Sequence, residues 1–402
     1  MNAILERAVA RRMIRVKPEQ ELCNNLKQIR LRLGMSQQDL AAIAGVSRQA
    51  ISGVESGQSA PSTTVALRLA KALGCRVEDL FWLDQPHAEL EAVPIQDCPV
   101  DQALRLTLAR VGGRWVAHPL SGSQAFRMEM IPADGEGTYR ATATTLTVRL
   151  LDDPEKLHNT VVLAGCTPAI SLWARAAELW HPELRVHWTL DNSIRALERL
   201  VRGEVHLAGM HLYDPVTQEH NRPFVQAMVR DQAAVLINLG SWEEGLLVAP
   251  ENAERLNTVA DLVQPGVTIV NREVGAGSRQ VLERSLQQAG IPETAVAGFD
   301  RIVYGHLQVA EAIATGQATA GVSTAAIATA FGLAFLPLHR SRYDLVVLQS
   351  YLEEPPVQRL LSTLDHRRVL SQLQALGGFD TSQTGEVMAI VHPRHPNDWG
   401  LH

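Results

Sequence analysis

From residue 160 onward, short apolar segments alternate with amphipathic helical segments, and this alternation restricts the fold more than any other feature of the chain. The predicted strands are residues 161–165, 185–190, 205–209, 267–270 and 320–322. Helices are predicted between them, beginning near Pro168 and covering residues 192–202, 277–288, 306–315 and 325–331. Strands separated by helices form open, mostly parallel sheets, whose binding sites lie beyond the carboxyl ends of the strands.

Polar residues stand at these strand-to-helix junctions. The candidate ligand-binding residues are Cys166, Thr167, Asn192, Ser193, His211, Asn271, Arg272, Gly277, Ser278, Arg279, His306, Ser323 and Thr324. Helix N-termini present unpaired amides and the positive end of the helix dipole, so several of them around one cleft would bind an anion or a small polar molecule. The alternative is that the Ser, Thr and Asn residues only cap helices, and that His306 is a structural hydrogen-bonding residue.

The four cysteines lie far apart, and neither they nor the histidines have metal-ligand spacing. We therefore expect reduced thiols and no metal site. We expect Cys166 to be a small buried residue rather than a nucleophile. The sequence contains no nucleophile-elbow motif, zinc pair or Walker loop, so we expect that the protein is not an enzyme.

A second pattern, near the N-terminus, predicts short helices. Residues 22–33 carry apolar side chains at helical spacing. Ser36 begins another helix with a Ser-x-x-Asp capping box, Gly45 ends it, and Ser47 begins a third helix that runs to Gly57. Two short helices joined by a tight glycine turn are typical of a helix-turn-helix.

Net charge at first argues against a nucleic-acid binder, because the whole chain carries −6. The charge is unevenly distributed, however. Residues 1–85 hold 12 basic and 8 acidic residues, and the remainder holds 25 and 35. This asymmetry indicates a polyanion-binding head on an acidic body.

The head resembles the Xre/Cro–phage repressor family of DNA-binding domains over about residues 22–83. The resemblance depends on Met35-Ser-Gln-Gln-Asp-Leu-Ala, on Ala-Gly-Val-Ser-Arg-Gln-Ala-Ile-Ser after it, and on the later Asp-Leu-Phe. It implies that the second helix of the motif lies in the major groove. The DNA-binding residues that it implies are Gln37, Ser47, Arg48, Gln49 and Ser52.

The chemistry of these side chains suits different parts of DNA. Gln49 can pair with adenine, and Arg48 can pair with guanine or phosphate. Gln37 resembles the family residue that holds a backbone phosphate. The alternatives are plain surface exposure for Gln37 and Gln49, and phosphate contact without base readout for Arg48.

Residues 86–157 are rich in strand signals. Residues 104–109 and 115–117 flank a Gly-Gly turn and predict a hairpin, and residues 139–151 are again β-rich. We expect a small β module that acts as a spacer or a dimer contact.

The body resembles the periplasmic-binding-protein-like effector domains found behind helix-turn-helix heads, related to molybdate/tungstate-type binding proteins. The matching segments are Ala164-Gly-Cys-Thr-Pro168, Gly203-Glu-Val-His-Leu-Ala-Gly-Met-His-Leu212, Asn271-Arg-Glu-Val-Gly-Ala-Gly-Ser-Arg279 and Gly321-Val-Ser. The chain departs from the pattern at Thr167, where an acidic residue is usual, and at Asn192-Ser193, where Gly-Ser is usual. The resemblance implies an oxyanion effector, molybdate or tungstate. Arg272 and Arg279 would also suit a carboxylate or a phosphate, so a small polar metabolite is the alternative, and no other cofactor is expected.

These patterns together predict a multidomain α and α/β protein with an all-α helix-turn-helix domain, a short β-rich connector and a two-lobed periplasmic-binding-protein-like (type 2) domain. The predicted boundaries are an extension at 1–20 and domains at 21–85, 86–157 and 158–395. We expect a cytoplasmic, ligand-responsive transcription regulator that binds double-stranded DNA at an inverted repeat as a homodimer or a higher homo-oligomer. The uncharged run at 312–338 is broken by glycines, so no membrane contact is expected. The alternatives are a DNA-binding protein whose body has lost its ligand, or an enzyme.

Overall fold

The computed structural model describes residues 22–83, 88–125 and 130–393, which form two compact units that divide between Ala88 and Glu89. The first unit is helical, and the second combines a β-barrel with an α/β sheet. This arrangement confirms the predicted fold class. No helix within the described ranges is long and apolar enough to cross a membrane. The predicted extension at residues 1–20 lies outside the described residues.

Five short helices build the first unit. They are α1 (Leu26–Arg32), α2 (Gln37–Ala44), α3 (Arg48–Glu55), α4 (Thr63–Leu73) and α5 (Val77–Leu80). Their apolar faces enclose a core that includes Leu40, Ile51 and Leu69.

A small sheet also closes the first unit, which was predicted to be all helical. Strand β1 (Leu22–Asn24) pairs with β2 (Phe81–Leu83), so the predicted first helix begins four residues later than expected. The amide of Leu26 donates to the side chain of Asn24 at this strand-to-helix junction. Pairing with residues beyond α5 decides the conformation here, and a local helical pattern cannot reveal it.

The second unit begins with a closed five-stranded barrel. Its strands are β3 (Glu89–Pro94), β4 (Ala103–Val111), β5 (Arg114–Pro119), β6 (Gly135–Thr138) and β7 (Leu146–Leu150). The predicted hairpin is β4–β5. Leu108 and Val116 of the barrel share one hydrophobic core with Val162 and Ala196 of the body. The β-rich region is therefore packed against the α/β sheet, while the predicted domain boundaries remain predictions.

One ten-stranded sheet organises the body. Its strands are β8 (Thr160–Gly165), β9 (Arg185–Leu190), β10 (Leu207–Met210), β13 (Ala234–Val248), β14 (Ile269–Arg272), β15 (Ile302–Val303), β16 (Ala320–Thr324), β17 (Ala334–Leu348), β18 (Phe379–Asp380) and β19 (Val387–Val391). A separate two-stranded sheet is formed by β11 (Tyr213–Asp214) and β12 (Glu219–His220). The central order is β15-β14-β16-β13-β17-β10-β8-β9.

Helices cover both faces of this sheet. The α-helices are α6 (Pro154–Leu157), α7 (Ala169–Trp180), α8 (Ser193–Val201), α9 (Arg222–Met228), α10 (Gly277–Gln288), α11 (His306–Ala314), α12 (Ala325–Phe331), α13 (Pro355–Leu361) and α14 (Arg367–Gln374). Short 3-10 turns occupy Gly122–Ala125, Pro250–Asn252, Val259–Val263, Glu293–Ala295 and Gln349–Glu353. The observed bounds of β9, α10 and α12 are those that the sequence pattern predicted.

The parallel strands fall into two groups, which define the lobes. We call β8, β9 and β10 with α7 and α8 the first lobe, and β14, β15 and β16 with α10, α11 and α12 the second lobe. The long antiparallel strands β13 and β17 pair with each other and run through both lobes. The sequence analysis did not predict these two strands.

Candidate functional site

Helices α2 and α3 of the first unit are joined by a tight turn at residues 45–47. Gly45 ends α2 with a φ of 65°, a left-handed conformation that glycine adopts without strain. Ser47 accepts a hydrogen bond from the amide of Ala50 at 3.1 Å and so begins α3. The predicted helix-turn-helix is present, with α3 as its second helix.

Four of the predicted DNA-binding residues lie at the N-cap or within the first five residues of α3. The exposed ones are Ser47, Arg48, Gln49 and Ser52. Ile51 and Val54, on the other face of the same helix, are buried in the core. One face of α3 is therefore exposed and the other is packed in the core, and DNA contacts from the exposed face remain a prediction.

Gln37, the remaining predicted DNA contact, belongs to a hydrogen-bond network inside the first unit. Its Nε2 donates to Glu55 Oε2 at 2.8 Å, while Arg30 donates to both oxygens of Glu55, at 2.6 and 3.0 Å. Burial raises the pKa of Glu55, but the hydrogen bonds from Arg30 and Gln37 outweigh burial and lower it. Gln37 thus links the start of α2 to the end of α3, and a phosphate contact from it remains a prediction.

In the second unit, residues at the strand ends of both lobes meet. Cys166 follows β8 and His211 follows β10 in the first lobe, and His306 begins α11 in the second. Their exposed fractions are 1%, 3% and 1%. One ligand atom of each residue lies within 4.8 Å of the others. We call these three residues the Cys–His–His cluster.

A buried carboxylate orients His211. Its Nε2 lies 3.2 Å from Cys166 Sγ, and its Nδ1 lies 3.3 Å from Glu244 Oε2. Glu244 is fully buried and accepts hydrogen bonds from the hydroxyls of Ser278, at 2.6 Å, and Ser341, at 2.5 Å. Because the imidazole is held at Nδ1, its Nε2 faces the thiol.

His306 is held in a similar way. Its Nδ1 lies 3.1 Å from the hydroxyl oxygen of Ser323, and that hydroxyl donates to the backbone carbonyl of His306 at 3.4 Å. With the hydroxyl proton directed to the carbonyl, Nδ1 is the nitrogen that donates and Nε2 keeps its lone pair. Nε2 is buried and has no hydrogen-bond partner among the described residues.

The cluster stabilises separated charges. Burial raises the pKa of the Cys166 thiol, but the charge of His211 and its hydrogen bond outweigh burial and lower the pKa to about 5. Burial lowers the pKa of His211, but Glu244 and the Cys166 thiolate raise it to about 10. Burial also raises the pKa of Glu244, and the charge of His211 brings it far below its ordinary value. A thiolate in such surroundings can act as a nucleophile or as a ligand of soft cations.

A cavity of about 550 Å³ lies between the lobes. Asn192 of the first lobe lines it, together with Arg272 and Gln308 of the second. Arg272 is 2% exposed and donates twice to Glu273, at 2.9 Å each, while its Nη1 has no partner among the described residues. Gln308 Oε1 is also buried without a partner there. A free guanidinium N–H and a free carbonyl suit a small molecule that carries both acceptors and a donor.

Two glycines allow the lobes to approach closely. A Cβ at Gly277 would lie 2.4 Å from the carbonyl oxygen and 2.5 Å from Nδ1 of His211. Gly275 has a φ of 91° and faces Asn192, whose Nδ2 donates to the carbonyl of Val274 at 3.3 Å. The predicted Gly-x-Gly run therefore brings backbone of the second lobe against the first.

Three of the predicted ligand residues act as hydrogen-bond acceptors for backbone amides, two of them locally. Thr167 accepts from the amide two residues later at 3.3 Å, and Thr324 from the amide three residues later at 3.4 Å. Ser193 accepts from the amide of His211 at 3.2 Å. The contacts of Thr167 and Thr324 are turn and capping roles, the alternative to ligand binding, whereas Ser193 links the start of α8 to the residue that follows β10.

Two further predicted residues have partners within the second lobe. Asn271 accepts from the amide of Arg272 at 2.8 Å and donates to the carbonyl of Phe299 at 3.2 Å. Arg279 donates to Glu283 at 2.6 Å, and its guanidinium lies 5.1 Å from the centre of the Phe299 ring. A ligand contact from either residue remains a prediction.

Sequence reasoning missed the site residues on the long strands. Glu244 on β13 orients His211, and Tyr343 on β17 stacks on the same imidazole at 5.8 Å between ring centres. The available signal was the pair Glu243-Glu244 within the largely apolar segment Ala234–Val248, of which the structure buries Glu244 and exposes Glu243. A fully buried charge of this kind requires a partner, which makes it a candidate functional group.

Comparison with known proteins identifies the first unit. A helix-turn-helix family profile matches residues 26–80. The chain is 40% identical to the uncharacterized HTH-type transcriptional regulator YgzD of Bacillus subtilis over 64 residues, which are 16% of this chain and 97% of YgzD. It is 42% identical over 65 residues to an uncharacterized HTH-type transcriptional regulator of Methanothermobacter thermautotrophicus, covering 16% of this chain and 94% of that protein. This chain belongs to the helix-turn-helix family of transcriptional regulators.

The second unit of this helix-turn-helix regulator matches a PBP superfamily domain over residues 174–365. The regulator is also 31% identical over 197 residues to the uncharacterized protein YvgK of Bacillus subtilis, which is 49% of this chain. The chain spans 63% of the length of YvgK. His211, Glu244 and His306 lie within the PBP match, and Cys166 lies just before it.

Solved structures resemble the regulator over about half of its length. An ABC-type phosphate transport receptor from Vibrio cholerae is 15% identical and covers 55% of this chain and 99% of its own, with a TM-score of 0.38. CbnR, a LysR family transcriptional regulator, is 17% identical and covers 50% of this chain and 68% of its own, with a TM-score of 0.36. Likeness at this level says nothing about the ligand.

Proposed function

We propose that this regulator changes its affinity for DNA when a small ligand binds between the lobes of its second unit. The observation that supports this most is that buried polar side chains from both lobes, among them His211 and His306, converge on one place. A ligand that touches both lobes stabilises the closed arrangement over an open one. Such a ligand changes DNA affinity only if it binds the two states unequally.

The ligand we propose is an oxyanion or a small polar metabolite in the cavity between the lobes. Arg272 supplies a buried guanidinium N–H without a partner among the described residues, and Gln308 supplies a carbonyl oxygen. Molybdate and tungstate, which the sequence resemblance implies, are the first candidates. A phosphate or a carboxylate would suit the same guanidinium.

The proposed DNA contacts are those of α3 and the start of α2. Gln49 would read a base, Arg48 a base or a phosphate, and Gln37, Ser47 and Ser52 would position the helix on the backbone. Motifs of this type bind two half-sites related by the protein's own two-fold axis. We therefore infer a homodimer on an inverted-repeat operator, acting in the cytoplasm.

The test is binding of the full chain to the promoter region of its own coding sequence, measured by fluorescence anisotropy. A ligand that acts through the lobes should change the DNA Kd by about 5- to 150-fold, the usual range of allosteric coupling. The change should disappear in Arg272→Gln, while DNA binding without ligand stays intact. Arg255→Gln, which alters an exposed arginine of the same unit, should respond like the unmodified chain.

Two outcomes would contradict the proposal. One is an equal DNA Kd with molybdate, tungstate, phosphate and small carboxylates. The other is a thermal-shift screen in which none of these compounds raises the unfolding midpoint, because a bound ligand stabilises the state that binds it. That second outcome would favour a DNA-binding protein without a ligand.

A further inference from the structure

The Cys–His–His cluster directs one sulfur and two imidazoles to a common point. Cys166 Sγ and His211 Nε2 lie 3.2 Å apart, and the ligand atom of His306 is within 4.8 Å of both. In a tetrahedral zinc site, sulfur and nitrogen ligands are separated by roughly 3.5 Å, given Zn–S and Zn–N bonds of about 2.3 and 2.0 Å. Small side-chain shifts would bring the three donors to that geometry.

The outer contacts of the two imidazoles have the pattern found in metal sites. His211 is held at Nδ1 by the Glu244 carboxylate, and His306 is held at Nδ1 by the hydroxyl of Ser323. Histidines that bind metals typically use their second nitrogen in this way, which fixes the tautomer and the orientation of the ring. Both Nε2 atoms are thereby reserved for the cluster.

The environment of His306 Nε2 also points to a ligand, independently of the distances within the cluster. It is buried and has no hydrogen-bond partner among the described residues. Buried polar atoms almost always have a partner in a folded protein. A metal ion at the common point would give this atom a partner.

We propose that Cys166, His211 and His306 bind a divalent transition-metal ion of the zinc type, which links the two lobes. This inference rests on the proposed function, in which the arrangement of the lobes controls DNA binding. Thiolate and imidazole donors suit zinc, copper or nickel, whereas calcium and magnesium require oxygen donors. When the ion binds, the proton between Cys166 and His211 leaves from His211 Nε2, so that a thiolate and a neutral imidazole face the metal. The charges of Cys166 and Glu244 then balance a dication.

The position of the donors explains how the ion would act on the whole unit. Cys166 and His211 belong to the first lobe and His306 to the second, so one ion crosses the contact between the lobes. Because all three are almost fully buried, the ion enters when the lobes separate and holds them together afterwards. Closure then depends on the metal as well as on a molecule in the neighbouring cavity.

The test uses the full chain, stripped with a chelator and titrated with Zn²⁺ or Co²⁺. We expect a single bound Zn²⁺ per chain, a higher unfolding midpoint with Zn²⁺, and a thiolate-to-cobalt charge-transfer band in the near ultraviolet. Cys166→Ser should lose that band. Cys98→Ser, which removes another buried thiol outside the cluster, should keep it.

Two further variants distinguish a residue that binds the metal from one that only orients a metal ligand. His306→Gln should weaken Zn²⁺ binding by at least tenfold, since it removes a ligand. Glu244→Gln should weaken Zn²⁺ binding by about 10- to 100-fold and keep the cobalt band, because Glu244 orients His211 without touching the ion. Circular dichroism of the stripped variants checks that each one folds.

The metal site is overturned if the Co²⁺ adduct of the unmodified chain lacks the thiolate band, or if Cys166→Ser binds Zn²⁺ as tightly as the unmodified chain. The missing thiolate band would count against the metal site even if a variant did not fold, because it is measured on the unmodified chain. If Zn²⁺ binds and the Co²⁺ adduct shows the thiolate band, the metal site is supported. If the DNA Kd is nevertheless the same with molybdate, tungstate, phosphate and small carboxylates, the proposed function is contradicted. An oxyanion that changes the DNA Kd in a chain that binds no metal would do the reverse.

Discussion

Arg30 and Glu55 form a buried ion pair that holds α3, the second helix of the helix-turn-helix, in place. Their side chains are 7% and 4% exposed, and Arg30 also donates to the carbonyl of Met35 at 2.7 Å. The guanidinium thus ties α1 to the end of α3 and to the loop before α2. The orientation of α3 depends on this pair, although neither of its residues lies on the exposed face of α3 that carries Arg48 and Gln49.

We expect Arg30→Met to destabilise the first unit by about 3 kcal/mol, because removing one partner of a buried pair leaves the other charge unpaired. Hydrogen–deuterium exchange of the amides in α1, α2 and α3 should show the loss of protection in the full chain. Arg76→Met is the matched control, since its pair with Asp79 is exposed and should contribute little. Equal exchange in both variants would contradict the role of the buried pair.

Arg48 and Gln49 are neighbours with different expected roles. Gln49→Ala should weaken operator binding by about 1–3 kcal/mol and relax the preference at one base position. If Arg48 contacts phosphate, Arg48→Ala should weaken binding to all sequences equally and reduce the salt dependence. Anisotropy titrations against the operator and its single-base variants distinguish these effects, and Gln28→Ala on α1 should leave both unchanged. A uniform loss in Gln49→Ala would argue against base readout by Gln49.

At the scale of the element, β13 and β17 both connect the lobes and contribute to the site. The pairing register of β13 shifts between Asn238 and Gly240 and again between Glu244 and Gly245. Register shifts of this kind bend a strand and redirect its side chains, and they are common next to functional sites. The second shift adjoins Glu244, the carboxylate that orients His211.

The start of α10 is the element whose packing limits how closely the lobes approach. Gly277→Val should hold the lobes apart, because a side chain there would overlap the backbone and ring of His211. We expect Gly277→Val to weaken the binding of Zn²⁺ and of any oxyanion ligand by at least tenfold, which corresponds to roughly 1.4 kcal/mol or more of binding free energy. The radius of gyration from solution scattering should also increase.

A matched substitution controls for the loss of a glycine. Gly290 has a φ of 70° and open space around it, so Gly290→Asn should be tolerated, since asparagine enters the left-handed region readily. Its ligand affinity and radius of gyration should match those of the unmodified chain. Unchanged ligand binding in Gly277→Val would show that the contact with His211 does not control closure.

At the scale of the whole molecule, two compact units divide recognition of DNA from the enclosed polar site. The first 85 residues carry an excess of basic side chains, and the remainder carries an excess of acidic ones. The affinity of the head for DNA should therefore fall as the salt concentration rises. The Cys–His–His cluster is buried, so its contacts are screened much less by salt.

Coupling between the two units should be reciprocal. If a ligand changes the DNA Kd by a given factor, saturating DNA should change the Kd of that ligand by the same factor. Titration calorimetry of the ligand into the free chain and into the chain bound to operator measures both sides of this cycle. A factor of one on both sides would contradict the coupling, whereas unequal factors would show that one titration had not reached equilibrium.

Local patterns in the sequence predicted a large part of the fold. Ser36 and Ser47 cap helices as expected, and β9, α10 and α12 occupy the residues that periodicity indicated. These features depend on contacts within a few residues along the chain, which is why spacing reveals them. The departure at Leu22–Asn24 is a strand, because its partner lies at the far end of the same unit.

Local sequence patterns were enough to locate the helix-turn-helix, the strand-to-helix junctions and the polar residues that stand at those junctions. Only the tertiary structure brought Cys166, His211 and His306 within 4.8 Å of one another and placed Glu244 behind them. Spacing gave no sign of a metal site, because each of these residues comes from a different strand end or helix start. Their meeting depends on the order and register of strands far apart in the chain, including two long strands that pass through both lobes. Hydrophobic periodicity shows which face of one helix or strand is buried. It cannot show how several elements are placed relative to one another, and a shared site depends on that placement.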